Sequence, residues 1–254
     1  MPGANNAEMI EGLSAWFMRN DRPQTAWGNV VSAFSLLPIL RGFWPSSSAD
    51  SNFAVYDLSG QGRMLTNINN ANLTRWNLAP AITFNGATQY LTRATEPDLA
   101  ITNIGLTLGG WFRPTAGTVN QGVMIKGINT VNDAYWLYVN PASTVKFGVW
   151  NGGAITAQAH INTYSNDEWY FWVGRWNPST EIAVFQNGVF TKLAVGIPAA
   201  ITNSAANFSI GSYSGAGGSV YYGGYGSLFF LCHYPVPDTH IYLAYEISRP
   251  LFGR

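Results

Sequence analysis

Asp167-Glu168-Trp169-Tyr170-Phe171-Trp172-Val173 opens an aromatic run that ends in Asn177-Pro178-Ser179-Thr180, and a second run leads from Glu181 through Val184-Phe185-Gln186 into Asn187-Gly188-Val189. Asn-Gly supplies the two positive-φ residues of a type I′ turn, whose twist matches that of paired antiparallel strands. The runs on either side of it should therefore pair, and an all-β sandwich is the expected architecture.

The same pattern extends outward from Leu40 to the end of the chain, as short β runs separated by Gly, Asn, Pro and Ser. Strands are predicted at 40–45, 53–58, 64–68, 80–84, 88–93, 105–113, 122–126, 134–139, 144–150, 154–160, 168–176, 181–187, 189–195, 206–211, 219–222 and 226–233. The Gly/Ser/Tyr-rich segment 211–227 reads as a loop or hairpin, too aromatic for a disordered linker. Tyr234 to Asp238 forms a turn with two prolines, and Thr239 to Ile247 a terminal helix.

Residues 1–38 differ in kind. Met9, Ile10, Leu13, Trp16 and Phe17 fall on one helical face, and Asn5 followed by Glu8 can satisfy the first backbone donors, which predicts a helix at about 6–19. A second helix starts at Thr25, presents Trp27, Val30, Val31 and Phe34, and stops near Leu37 because Pro38 disfavours a helical residue before it. The expected organisation is thus a helical arm over 1–38 and a β domain over 39–254. Both helices could complete the β core. Alternatively, Met9, Leu13, Trp16, Phe17 and Met18 could form an assembly arm, because one helix cannot hide Trp16, Phe17 and Met18 against a single surface.

Composition narrows the function classes. The chain has 254 residues, 47% hydrophobic and 15% aromatic, enough for one large core. Only 10% are charged and the net charge is zero, which leaves no electrostatic footprint for nucleic acid. Cys232 is the only cysteine, so no internal disulfide staples the fold. The apolar stretch around Val30 to Leu40 is broken by Ser32, Ser35 and Pro38 and falls short of the ~20 residues a membrane-spanning helix needs. The N-terminus has neither a basic leader nor an apolar core, and does not read as a secretory signal.

Seven segments between Asp57 and Gly211 carry a family resemblance: Asp57-Leu58-Ser59-Gly60-Gln61-Gly62, Ile82 to Leu91, Leu106 to Pro114, Val123 to Gly127, Glu168-Trp169-Tyr170, Val184 to Gly188 and Phe208-Ser209-Ile210-Gly211. In this order they resemble the laminin-G-like, concanavalin A-like jelly rolls. The resemblance implies two curved antiparallel sheets in a module that binds glycans or proteins and is not an enzyme. The whole arrangement is similar to laminin-G-like modules of phage structural proteins, which implies a virion-associated decoration, head-fibre or tail component with other virion proteins, copies of itself or glycans as partners. A secreted or cell-surface bacterial lectin or adhesin is the alternative, and a cryptic glycoside hydrolase the third.

Hydrolysis of a glycosidic bond needs two facing carboxylates, but Glu96 and Asp98 flank Pro97 in a loop, and Asp167 and Glu168 are neighbours on a strand start, pointing apart. Cys232 and His233 diverge for the same reason, and His160 and His240 lie far apart in the chain, a poor zinc set. In many laminin-G-like modules the acid of an Asp-x-Ser-Gly-x-Gly turn and a second acid hold calcium. Asp57 stands at the first place, but the second reads Gly226-Ser227-Leu228-Phe229-Phe230 without a carboxylate, so calcium is disfavoured and no cofactor is expected. Sugar binding wants flat aromatic faces beside neutral hydrogen-bonding groups. Trp150 with Asn151, and Tyr213 with Tyr221, Tyr222 and Tyr225, offer them; the tyrosines serve equally for cross-strand packing or protein contacts.

Overall fold

The computed structural model describes residues 30, 34, 40–46, 54–76, 79–94, 99–117, 119–127, 133–215 and 218–254. Two eight-stranded antiparallel sheets face each other, with strands numbered in chain order. Sheet A runs β14 (Val189–Leu193), β13 (Glu181–Gln186), β12 (Tyr170–Asn177), β7 (Leu106–Pro114), β18 (Gly223–Cys232), β5 (Ala79–Asn85), β4 (Asn72–Trp76), with β1 (Leu40–Trp44) also paired to β18. Sheet B runs β11 (Ala154–Ile161), β10 (Thr144–Asn151), β9 (Tyr135–Asn140), β8 (Gln121–Lys126), β15 (Phe208–Ile210), β6 (Tyr90–Arg93), β3 (Leu65–Ile68), β2 (Ala54–Val55). A small ribbon of β16 (Ser212–Gly215) and β17 (Gly218–Tyr221) completes the strands.

β12 and β13 pair antiparallel across the 177–180 turn, with Asn177 opposite Glu181 and Trp172 opposite Gln186. Asn187 and Gly188 both have positive φ, 46° and 94°, and β13 folds back onto β14 from there. Two strands were not anticipated. β4 sits at an edge of sheet A, pairs only with β5, and leaves Leu73 exposed, so it lacks the apolar alternation of a covered strand. β16 falls in the Gly/Ser/Tyr-rich segment, which is a hairpin.

Sheet A is apolar on both faces. Its inner face meets sheet B in a core that includes Leu108, Phe112, Trp172, Trp176, Val184 and Leu231. Its outer face carries a second core of Trp111, Phe171, Val173, Phe185 and Phe230 under the C-terminal helix Asp238–Ser248, through Ile241, Ala244 and Tyr245. Trp111 and Trp172 both lie within apolar strands, which predicts that both point inward, but only Trp172 does. In the β7–β12 register Trp111 faces Phe171 while Trp172 faces Gly110, and cross-strand partners share a face, so the two indoles lie on opposite sides.

The expected first N-terminal helix lies outside the described residues, with Met9, Leu13, Trp16, Phe17 and Met18, and so does most of the second. Val30 and Phe34 are described: both are helical and buried, and Phe34 stacks on Phe43 at 5.5 Å and meets Phe171 and Phe230 edge-on. These two residues thus pack internally, in the core outside sheet A.

An ionic network centred on the buried Arg175 ties the C-terminal helix to sheet A. Arg175 in β12 pairs with Glu181 and, at 2.6 Å, with Asp238, and donates to the Val236 carbonyl, while Lys192 reaches Asp238 at 2.6 Å. Burial alone would raise the Asp238 carboxyl, but hydrogen bonds from Lys192 and Arg175 and their positive charge hold it below its ordinary value.

Asp57 acts as a turn organiser. One carboxylate oxygen accepts from the backbone N–H of Phe43 and of Ser59, and the other from the Ser59 hydroxyl and the Arg63 N–H, all within 2.9 Å. The turn is thereby anchored to β1, and Arg63 reinforces it by donating to the Arg41 carbonyl. Asp57→Asn replaces a four-fold acceptor with a neutral amide that must turn a donor toward these N–H groups. It is expected to cost about 2–3 kcal/mol, read as a lowered urea midpoint at constant m; an unchanged midpoint would refute this role.

Lys126 in β8 is fully buried, and its Nζ donates to the Ala206 carbonyl at 2.6 Å. Burial pulls its pKa down to about 8. The unfolded chain, with a lysine pKa near ~10.4, binds more protons between these values, so this group adds stability as pH rises and loses it as pH falls through about 8. The stability difference between wild type and Lys126→Met should therefore shift in favour of wild type from pH 7 to 10; a pH-independent difference contradicts the assignment.

Candidate functional site

The outer face of sheet B differs from that of sheet A, because no helix among the described residues covers it. Alternation along β9 and β10 puts Trp136 and Tyr138, then Lys146, Gly148 and Trp150, on this face, while Tyr135, Leu137, Val145, Phe147 and Val149 point into the sandwich. Gly148 lies opposite Trp136, and a Cβ there would come within 2.8 Å of the indole. The missing side chain lets Trp136 lie down on the sheet. Its ring packs against Tyr138 at 4.0 Å and against Trp150 at 5.0 Å.

The β16–β17 ribbon forms a wall beside this floor. Tyr213 and Val220 are cross-strand partners on the ribbon face turned to the groove, and the Tyr213 hydroxyl donates to the buried Asp133 carboxylate at 2.8 Å. Gly122 of β8 admits the ribbon, since a Cβ there would meet the Tyr213 nitrogen at 2.7 Å. Floor and wall enclose an open groove of about 290 Å³, near the lower bound for small-ligand sites, with Ile125 and Ile155 as aliphatic contacts and Asn120 and Gln121 as amides. No carboxylate lines it among the described residues. Trp136 is only 3% exposed, and its indole N–H has no hydrogen-bond partner among the described residues. Such a donor is costly to leave unmet in a protein interior.

Of the residues nominated from sequence, the structure brings Trp150 and Tyr213 together in this groove. Asn151 follows Trp150 at the exposed β10–β11 turn. Tyr221 lies on the opposite face of the ribbon, beside Tyr90 at 6.1 Å. Tyr222 is a correction: it is fully buried between the sheets against Phe84 and Phe112, where burial raises its hydroxyl pKa well above the usual value. Tyr225 is on the far side of the molecule, on the outer face of sheet A with Trp76, Trp169 and Arg113. One loop motif thus spreads over four environments, because consecutive strand residues point to opposite faces. Trp136 and Tyr138 were missed; the signal was Tyr135-Trp136-Leu137-Tyr138-Val139, apolar on both faces of a strand.

Cys232 is buried in the core outside sheet A, and burial pushes its thiol pKa up. Among the described residues no three His, Cys, Asp or Glu side chains form a metal-holding group, and no helix is long and apolar enough to cross a membrane.

No curated protein sequence matches the chain. Among solved structures, the ligand binding domain of botulinum neurotoxin serotype D, in complex with N-acetylneuraminic acid, is similar with a TM-score of 0.66 at 10% identity, over 84% of this chain and 52% of that one. The receptor binding domain of the botulinum neurotoxin C/D mosaic serotype is similar with a TM-score of 0.64 at 9% identity, over 82% and 51%. The binding domain of Paraclostridial Mosquitocidal Protein 1 follows with a TM-score of 0.62 at 11% identity, over 84% and 52%. The chain therefore spans about half the length of the structures it matches, and at these identities the likeness is one of fold. A family model covers residues 85–226, more than half of the chain and all of the groove's floor and wall. With two antiparallel sheets packed as a sandwich across that region, the chain belongs to the concanavalin A-like lectin/glucanases superfamily, as a Laminin_G_3 domain.

Proposed function

We propose that this chain is a non-catalytic, lectin-like binding module whose ligand is a glycan held in the groove on sheet B. The observation that carries the reading is the groove floored by the half-buried Tyr138 ring together with Trp136 and Trp150, with the exposed Asn120 among its lining. Aromatic faces pack against the C–H surface of a sugar ring, and a side-chain amide bonds its hydroxyls. The lining contains no carboxylate among the described residues, which supports binding without hydrolysis, since glycoside hydrolysis calls for a pair of carboxyl groups flanking the bond. Among the similar toxin domains, that of serotype D is in complex with N-acetylneuraminic acid, that of serotype DC with rat synaptotagmin II, and cell entry of the type C toxin depends on two ganglioside molecules, which supports a recognition role in general terms.

Trp136→Ala should remove at least 2 kcal/mol of binding, about 30-fold in Kd, as central aromatic anchors do. Tryptophan fluorescence or NMR titration with glycans selected on an array tests this. A Trp136→Ala protein that is folded and binds with unchanged affinity would remove the groove from consideration. Placement on a virion is the setting we favour, with the sequence resemblance and the charge-poor composition as its support; the alternative is a secreted or surface-attached lectin. Detection of the chain in purified particles by mass spectrometry separates them.

A further inference from the structure

Lys146 in β10 stands at the end of the aromatic floor, with its Nζ 5.6 Å from the centroid of the Tyr138 ring. Register aligns Tyr138, Lys146 and His160 across β9, β10 and β11, and the next row of the same face aligns Trp136, Gly148 and Gln158. Two residues along a strand separate the rows, a distance of about 6.6 Å. A sugar ring on Tyr138 and Trp136 would therefore lie within one side-chain length of Lys146.

Among the described residues, the charge of Lys146 has no counterpart on this face. The ion pairs among the described residues join Arg113 to Asp167, Arg175 and Lys192 to Glu181 and Asp238, Arg249 to Glu246 and Arg254 to Glu168; none involves Lys146. The chain has no Asp or Glu between Asp98 and Asp133, nor between Asp133 and Asp167, so β8, β9, β10 and β11 bring no carboxylate of their own. Asp133 itself is fully buried and receives the Tyr213 hydroxyl. His160, directly across from Lys146, is exposed and can donate a hydrogen bond to the same point. In a chain with only 10% charged residues, a half-buried lysine beside a binding groove, with no partner acid among the described residues, is a specific feature.

We propose that the groove selects glycans carrying a carboxylate, of the uronic or sialic acid class, with the sugar ring on Tyr138 and Trp136 and the carboxylate on Lys146 Nζ, supported by His160. This rests on the glycan-binding reading and adds the charge of the ligand to it. A hydrogen bond between charged partners strengthens binding by about 10-fold or more over its neutral counterpart.

The test is the full chain on an array of neutral, carboxylated and sulfated glycans, with a Glu-rich peptide immobilised in parallel, for wild type, Lys146→Gln and Lys146→Arg. Expected is binding enriched in carboxylated glycans, weakened about 10-fold by Lys146→Gln, restored in large part by Lys146→Arg, and falling with salt. Melting temperatures of the two variants close to wild type would show that the loss is one of recognition. Preference for sulfated glycans or for the peptide, or equal binding of neutral and carboxylated glycans with Lys146→Gln unaffected, overturns the carboxylate assignment; in the last case the glycan-binding reading survives. No glycan bound at all overturns both.

Discussion

Replacing Trp111 with alanine is expected to remove about 3–5 kcal/mol of folding stability, the range for large aromatic deletions from a closed core. The indole is fully buried and stacks on Phe252 at 4.4 Å and on Tyr245 at 5.9 Å, with Phe171 at 5.4 Å on its own sheet. Its N–H donates to the Ser248 hydroxyl at 2.8 Å, so truncation also leaves a buried polar group short of a partner. A single domain has about 5–15 kcal/mol in total, and this one change would consume much of it. Chemical denaturation should show the midpoint falling steeply, with near-ultraviolet circular dichroism changed by loss of the aromatic stack. A variant with an unaltered midpoint would mean that the C-terminal helix is not held on sheet A as described.

Gly174→Ala attacks the other face of the same sheet. Gly174 lies in β12 between Leu108 and Val184, and a Cβ there would come within 2.1 Å of the Phe147 ring from sheet B. Phe147 is fully buried and cannot swing into solvent, so the sheets must part locally or the ring must leave its rotamer. The expected cost is about 2–3 kcal/mol for one methyl group. Phe147→Ala in the same chain should recover part of that cost, because it vacates the space the methyl needs; strictly additive losses would show that the two residues do not meet.

The two substitutions also mark what differs between the faces of sheet A. Gly174 reports on the contact between sheets that any sandwich must make, whereas Trp111 reports on the second core beneath the C-terminal helix. Among the described residues, the outer face of sheet B has neither a helix nor a second large sheet over it. There the Trp136, Tyr138 and Trp150 cluster takes the place of a covered core, which makes that face the one to probe for ligands.

Local chemistry was enough to place most strands and the turn between β13 and β14. Asn187-Gly188 dictates positive φ at both residues whatever surrounds them, and apolar runs bounded by Gly, Asn and Pro mark strands because β structure is read two residues at a time. The turn role of Asp57 was open to the same reasoning, since its partners Ser59 and Arg63 are close in sequence. The edge strand β4 escaped because an edge needs little apolar alternation to form. The faces were decided elsewhere. Trp111 and Trp172 look alike in sequence, yet the β7–β12 register sends them to opposite sides. Tyr213, Tyr222 and Tyr225 share one loop-like segment but end in a groove wall, an inter-sheet core and the outer face of sheet A. The groove itself joins β8, β9, β10 and a ribbon more than sixty residues further along the chain. Strand identity follows from neighbours in sequence, whereas which face a residue occupies, and what covers that face, depends on pairing partners far away, and only the assembled sheets supply those.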